Sequence, residues 1–121
     1  MIDKRPSWTQ YFLNVAEVVS TRATCPRRAV GSVIVKDKQI LSSGYNGAVR
    51  NTSHCTEVGC LIEDNHCQRV IHSEVNALIQ AAKYGISVNE ATIYINTFPC
   101  FNCTKLLINS GIKRIIFNGM Y

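Results

Sequence analysis

Trp8, Phe12, Val15 and Val19 recur at the i, i+4, i+7, i+11 spacing of one helical face. Ser7-Trp8-Thr9-Gln10 ahead of them has the form of a capping box, so the pattern predicts a first helix from Ser7 to Thr21. Val30-Gly31-Ser32-Val33-Ile34-Val35 is β-branched and too short for a helix. After the polar turn at Lys36 to Gln39, Ile40 to Tyr45 reads as its hairpin partner. No period holds from Asn46 to Val70, which predicts a long loop carrying three cysteines and two histidines. A structureless loop of that length in a small domain calls for an anchor. A second helix is expected from His72 through Ala82, with Gly85 placed to end it. Ala91 to Thr97 reads as a strand, Pro99 as the start of a third helix ending at Gly111, and Ile112 to Phe117 as the last strand. Strand, helix, strand implies a right-handed parallel crossover beside the antiparallel hairpin. The expected class is therefore α/β, a mixed sheet covered by helices.

At 121 residues the chain is read as one domain, large enough to bury roughly two-thirds of its unfolded surface. Hydrophobic residues make up 46% and charged residues 17%, which excludes a disordered or fibrous protein. No apolar run approaches a membrane span. Met1 to Pro6 is polar and charged and lacks the apolar core of an export signal, which predicts an intracellular protein. In that setting six cysteines point to metal ligands or catalytic thiols rather than disulfides. The formal charge of +5 suggests an anionic partner, either nucleic acid or a phosphorylated small molecule. Two thiolates with Zn2+ leave that charge unchanged, whereas a site of three or four thiolates lowers it by about one or two.

His72-Ser73-Glu74 and Pro99-Cys100-Phe101-Asn102-Cys103 carry the chemistry. One imidazole and two thiols give Zn2+ three ligands and leave the fourth tetrahedral place to water, the arrangement of a catalytic rather than a closed site. Cys100 and Cys103 are three apart and share a face in a helical first turn, where the helix dipole favours thiolates. Alone, the Cys-x-x-Cys pair suits a closed zinc site, a redox pair or two buried thiols; the upstream His72 and Glu74 favour catalysis. Glu74 is the natural proton carrier. Residues two apart in a regular helix diverge by about 200°, however, so spacing alone does not bring Glu74 to a metal held by His72.

Beyond these motifs, Arg28 to Val35, Gly44-Tyr45-Asn46-Gly47, Ile71 to Leu78, Ala91 to Thr97 and Gly111-Ile112-Lys113 resemble deoxycytidylate (dCMP) deaminases of the bacterial and phage type. The resemblance spans Ser7 to Tyr121. It implies a single cytidine/deoxycytidylate deaminase domain over 1–121, with a three-layer α-β-α cytidine-deaminase-like fold and a mixed sheet of four or five strands. It implies zinc-dependent hydrolytic deamination of dCMP to dUMP and ammonia, supplying dUMP for dTMP synthesis. His72, Cys100 and Cys103 then hold the catalytic zinc, and Glu74 carries protons to N3 and to the departing amine. Asn46 is expected at the deoxyribose 3′-hydroxyl and the Ser73 backbone N–H at the pyrimidine carbonyl. Ser73 stands where many family members have alanine. Arg28, in a loop with Arg22, Thr24 and Arg27, is expected near the phosphate, and Tyr121 near the pocket.

The same resemblance implies a second, structural zinc and places Cys25 and Cys55 on two of its ligand positions. Cys60 and Cys67 complete the preferred set, with His54 or His66 as alternatives to one cysteine. It further implies activation by dCTP and inhibition by dTTP, with Gly44, Tyr45 and Gly47 near the effector, Mg2+ accompanying such a nucleotide, and a homohexamer. The expected location is the cytoplasm of a bacterium or phage-infected host, with no membrane partner. Two other readings compete. A deaminase of polymeric nucleic acid fits the charge but lacks a basic-aromatic stripe, and a non-catalytic zinc-stabilised binding module has no use for Glu74.

Overall fold

A computed structural model describes residues 4–63 and 66–118. Helix α1 spans Trp8–Ser20, and the Ser7 hydroxyl accepts the Gln10 amide at 3.1 Å as its N-cap. The other half of the expected capping box is absent, because the Gln10 side chain donates to Asn14 Oδ1 instead. Strands β1 (Gly31–Lys36) and β2 (Gln39–Tyr45) form the antiparallel hairpin. Its two-residue turn, Asp37-Lys38, has both φ angles positive at 52° and 61°, which matches the right-handed twist of the strands.

The segment expected to be one structureless loop is divided into short elements: β3 (Gly47–Ala48), α2 (Cys55–Val58), β4 (Ile62–Glu63), β5 (His66–Cys67) and β6 (Val70–Ile71). β3 pairs with β6 and β4 with β5, both antiparallel. None of these pieces exceeds four residues, too short for hydrophobic periodicity to register. Helix α3 (Ser73–Lys83), β7 (Thr92–Ile95), α4 (Phe101–Asn109) and β8 (Arg114–Phe117) complete the chain. Gly85 and Gly111, at φ 68° and 97°, follow the ends of α3 and α4 as expected.

The main sheet has four strands in the order β2-β1-β7-β8, antiparallel except for the parallel β7/β8 pair joined across α4. Alternation along β1 and β7 sends side chains to two cores. Val33, Val35 and Tyr94 pack with Phe12 and Ala16 of α1 on one face. On the other, Ile34, Ile93 and Ile95 pack with Ala77 and Ala81 of α3 and Leu107 of α4. The result is the three-layer α-β-α sandwich, with four strands among the described residues. Trp8 does not join the buried stripe of α1. It is 53% exposed, and the helix buries Phe12, Ala16 and Ser20.

Candidate metal and substrate site

The start of α3 and the start of α4 meet on one side of the sheet and bring two distant sequence motifs together. His72 is the N-cap of α3, in extended conformation at φ −61° and ψ 150°, rather than its first helical residue. The 200° divergence expected of a helical pair therefore does not apply between His72 and Glu74. His72 Nδ1 lies 3.2 Å from Cys103 Sγ and 3.5 Å from Cys100 Sγ. Around a tetrahedral Zn2+ with ordinary bond lengths, such N···S and S···S separations are about 3.6 to 3.8 Å, so the three donors fit the ion with little adjustment.

Cys100 likewise occupies the N-cap, of α4, where its sulfur accepts the Cys103 amide at 3.3 Å. Pro99 lies outside that helix and not at its first turn as expected. The exchange suits the chemistry, because the sulfur itself now takes up a free amide at the positive end of the helix. Burial pushes the Cys103 thiol far up, and the negative charge of Glu74 pushes it further. A divalent cation held by His72, Cys100 and Cys103 would reverse that preference and leave the thiol ionised.

Glu74 is 4% exposed and is the one buried charged side chain among the described residues. An isolated carboxylate is costly to bury, so its position calls for a partner. It is close enough to Cys103 to act on that thiol through both charge and hydrogen bonding. His72, Cys100 and Glu74 thus line one cavity of about 260 Å³, with Cys103 beside them.

The rest of the cavity is lined by Arg27, Arg28, Asn46, Thr97 and Phe98, with Ser73 beside Glu74. An Arg28 guanidinium nitrogen donates to Thr97 Oγ1 at 3.3 Å. Asn46 is buried with its carboxamide turned to the main chain: Oδ1 accepts the Val30 amide at 2.8 Å, and Nδ2 donates to the Arg28 carbonyl at 2.9 Å. Tyr121 lies outside the described residues. Thr97 and Phe98 were missed as lining residues. They lie just beyond β7, after Asn96, and only their position just ahead of Pro99-Cys100 hints at the role.

Cys25, Cys55, Cys60 and Cys67 converge from three segments into a second cluster, all four sulfurs lying within 4.8 Å of one another. The Cys25···Cys60 and Cys55···Cys67 separations are both 3.5 Å, again close to tetrahedral thiolate spacing around Zn2+. Burial raises the Cys55 and Cys60 thiols. Burial acts the same way on Cys67, but the backbone amides of Arg69 and Leu61 outweigh it and lower that thiol to about 7. His54 instead forms the N-cap of α2, its ring 3.7 Å from Glu57. Cys25 and Cys67 also line the cavity that holds His72, Glu74 and Cys100, so the two clusters share a wall.

Gly44, Tyr45 and Gly47 line a separate cavity of about 790 Å³, together with Arg50, His54 and Lys83. No helix among the described residues is long and apolar enough to cross a membrane.

The family described as the cytidine and deoxycytidylate deaminase zinc-binding region matches residues 6–119. ComE operon protein 2 of Bacillus subtilis is 43% identical over 118 residues, 98% of this chain and 62% of that protein. Deoxycytidylate deaminase of Saccharomyces cerevisiae is 33% identical, with 97% of this chain covering 39% of the relative, so the chain spans only part of these curated relatives. The deoxycytidylate deaminase of Mycobacterium phage D29 is 32% identical and matches over 93% of this chain and 95% of its own length. Among solved structures, the dCMP deaminase of cyanophage S-TIM5 in complex with dCMP and dUMP superposes with a TM-score of 0.85 at 29% identity, covering 98% of this chain and 86% of that one. The α-β-α sandwich thus has its counterpart in a known group, and the chain belongs to the cytidine and deoxycytidylate deaminase zinc-binding family.

Proposed function

We propose that the chain is a single-domain, zinc-dependent aminohydrolase that converts dCMP to dUMP and ammonia, supplying dUMP for dTMP synthesis. The observation that carries the reading is the meeting of His72, Cys100 and Cys103 with a buried Glu74 at one end of a cavity that holds arginines elsewhere in its wall. Zn2+ bound by the three ligands supplies Lewis acidity, which brings the pKa of a water from 15.7 toward about 7. Glu74 takes one proton from the attacking water and delivers it to N3 of the cytosine ring, then takes the second from the hydroxyl now on C4 and delivers it to the amine, which leaves as ammonia while the C4 carbonyl forms. The Ser73 backbone N–H holds the pyrimidine carbonyl. Arg28 suits the 5′-phosphate, since a guanidinium pairs with phosphate in a bidentate fork. Asn46 both shapes the loop that carries Arg28 and offers its remaining lone pair and proton to the sugar.

A cavity of about 260 Å³ has the size for a mononucleotide, whereas a polymer needs an extended groove for flanking phosphates. The names of the phage and yeast relatives support the same substrate. The four-cysteine cluster is read as a second, structural Zn2+ site. The 790 Å³ cavity at Gly44, Tyr45 and Gly47 is read as the place of a dCTP or dTTP effector with Mg2+, within a homohexamer acting in the cytoplasm of a bacterium or phage-infected host. Arg50 and Lys83 supply positive charge there.

The test is to incubate the protein with dCMP, dCTP, deoxycytidine and single-stranded DNA and to measure ammonia and the uracil product, with Glu74→Ala as control. Turnover of dCMP that Glu74→Ala removes is the expected result. Turnover confined to DNA, or indifferent to Glu74→Ala, overturns the assignment. Repetition with dCTP and dTTP tests the effector site.

A further inference from the structure

Ser73 is fully buried at the first position of α3, and its hydroxyl donates to Glu74 Oε1 at 2.5 Å. Two buried polar side chains adjacent in sequence are here satisfied by each other. A glutamate in the first turn of a helix ordinarily leaves its carboxylate in solvent or turned to the free amides of that turn. Glu74 does neither, being 4% exposed and directed at Cys103. Three rotatable bonds separate its carboxylate from the backbone, and inside a cavity the energy difference among their rotamers is set by whatever holds the oxygens.

From this contact we infer that the Ser73 side chain is a positioning residue for the proton carrier. Its hydroxyl holds Oε1 and so fixes the rotamer in which the carboxylate takes and returns the proton. The inference deepens the deaminase reading and rests on it for its kinetic consequence, though not for the contact itself. The Ser73 backbone N–H, read as the pyrimidine contact, is a separate group that side-chain substitution leaves in place. A hydrogen bond that touches the carrier and not the substrate changes kcat and leaves KM alone.

The experiment compares the wild-type protein with Ser73→Ala, both loaded with zinc, in three readouts. The first is steady-state dCMP kinetics, where Ser73→Ala is expected to lower kcat roughly tenfold with KM unchanged, as loss of a charge-assisted hydrogen bond implies. The second is the crystal structure of each, where Glu74 is expected in one rotamer in the wild type and in more than one in Ser73→Ala. The third is thermal unfolding and zinc content, which separates lost positioning from a damaged fold. An equal kcat with Glu74 unmoved in Ser73→Ala overturns the inference, as does a loss that falls wholly on KM. If the wild type does not turn over dCMP, the deaminase reading fails instead, and the Glu74 rotamers still decide whether Ser73 positions the carboxylate. In a Glu74→Gln background, Ser73→Ala is expected to cost nothing further, because groups acting through one another are not additive.

Discussion

Asn46 and Arg28 are joined through the main chain: the Asn46 carboxamide donates to the Arg28 carbonyl at 2.9 Å while accepting the Val30 amide at 2.8 Å. Both bonds tie the end of β2 to the segment that enters β1, where the main chain has no strand partner of its own. The backbone amide of Asn46 also donates to the Val30 carbonyl, and its carbonyl accepts from Thr24. Asn46→Ala therefore removes a brace from the arginine-bearing wall of the cavity. It is expected to destabilise the fold by about 1 to 3 kcal/mol, the cost of leaving buried groups unpaired, and to raise KM for dCMP more than it lowers kcat. Thermal melts paired with steady-state kinetics check this. An Asn46→Ala protein with the parent's melting point and an unaltered KM would remove Asn46 from both roles.

Glu74→Ala is expected to lower kcat by about 10² to 10⁴, the range for loss of a positioned general acid-base. Its zinc content should stay at the parent's value, because Glu74 lies outside both groups of converging ligands. Stability should not fall in proportion to the lost activity, since an alanine relieves the cost of a buried carboxylate. The measurement is metal analysis alongside turnover. Loss of zinc in Glu74→Ala would instead make the carboxylate a ligand.

Cys55 is 3% exposed, yet the segment it anchors leaves Val49, Val58, Leu61 and Ile62 at least half exposed. With so little apolar burial, a zinc held by the four thiols is expected to contribute much of what keeps this segment in place. Cys55→Ser is expected to take zinc from about two per chain to about one and to lower the melting temperature markedly. Because Cys25 and Cys67 also line the catalytic cavity, KM should rise as well. Zinc uptake displaces thiol protons, and the Cys67 thiol is lowered to about 7. Below that pH the Cys67 ligand must itself give up a proton to bind, so zinc on this cluster is expected to be retained at neutral pH and lost on acidification. Dialysis across that range with metal analysis follows it. One zinc per chain throughout, with Cys55→Ser as stable as the parent, would rule the site out.

Much of this architecture is written in short-range pattern. The Ser7 cap, the alternation from Val30 to Val35 and the glycines at 85 and 111 each set one element and can be read without the others. That His72, Cys100 and Cys103 would come together was legible because few residue types bind zinc. The relation between His72 and Glu74 was not, because a helical wheel presumes that both lie in the helix, and His72 turns out to be its extended cap. Cys100 escaped the same way, since Pro99 offered the more familiar start. The short strands between Gly47 and Ile71 were hidden because two-residue pairings beside a cluster of four cysteines, rather than a hydrophobic stripe, organise them.

Gly44 shows where a sequence motif carries more than one meaning. Its stretch resembles the effector region of the family, and it does line the larger cavity. Its backbone, however, also lies against α3, and a Cβ built there would sit 2.3 Å from the Ser73 carbonyl oxygen and 2.5 Å from the Ala77 amide nitrogen. Both are main-chain atoms of the helix that presents His72, Ser73 and Glu74, so no side-chain rotation relieves the clash. Gly44→Ala must push α3 off the sheet, at a cost of about 1 to 3 kcal/mol or more for overpacking, and the shift carries the catalytic residues with it. The expected outcome is a lower melting temperature and reduced dCMP turnover even with no effector present. An effector contact alone predicts the opposite, a Gly44→Ala protein with full basal turnover and an altered response to dCTP and dTTP. Measuring basal turnover and melting temperature of this one variant therefore decides whether Gly44 serves the catalytic helix or only the effector cavity.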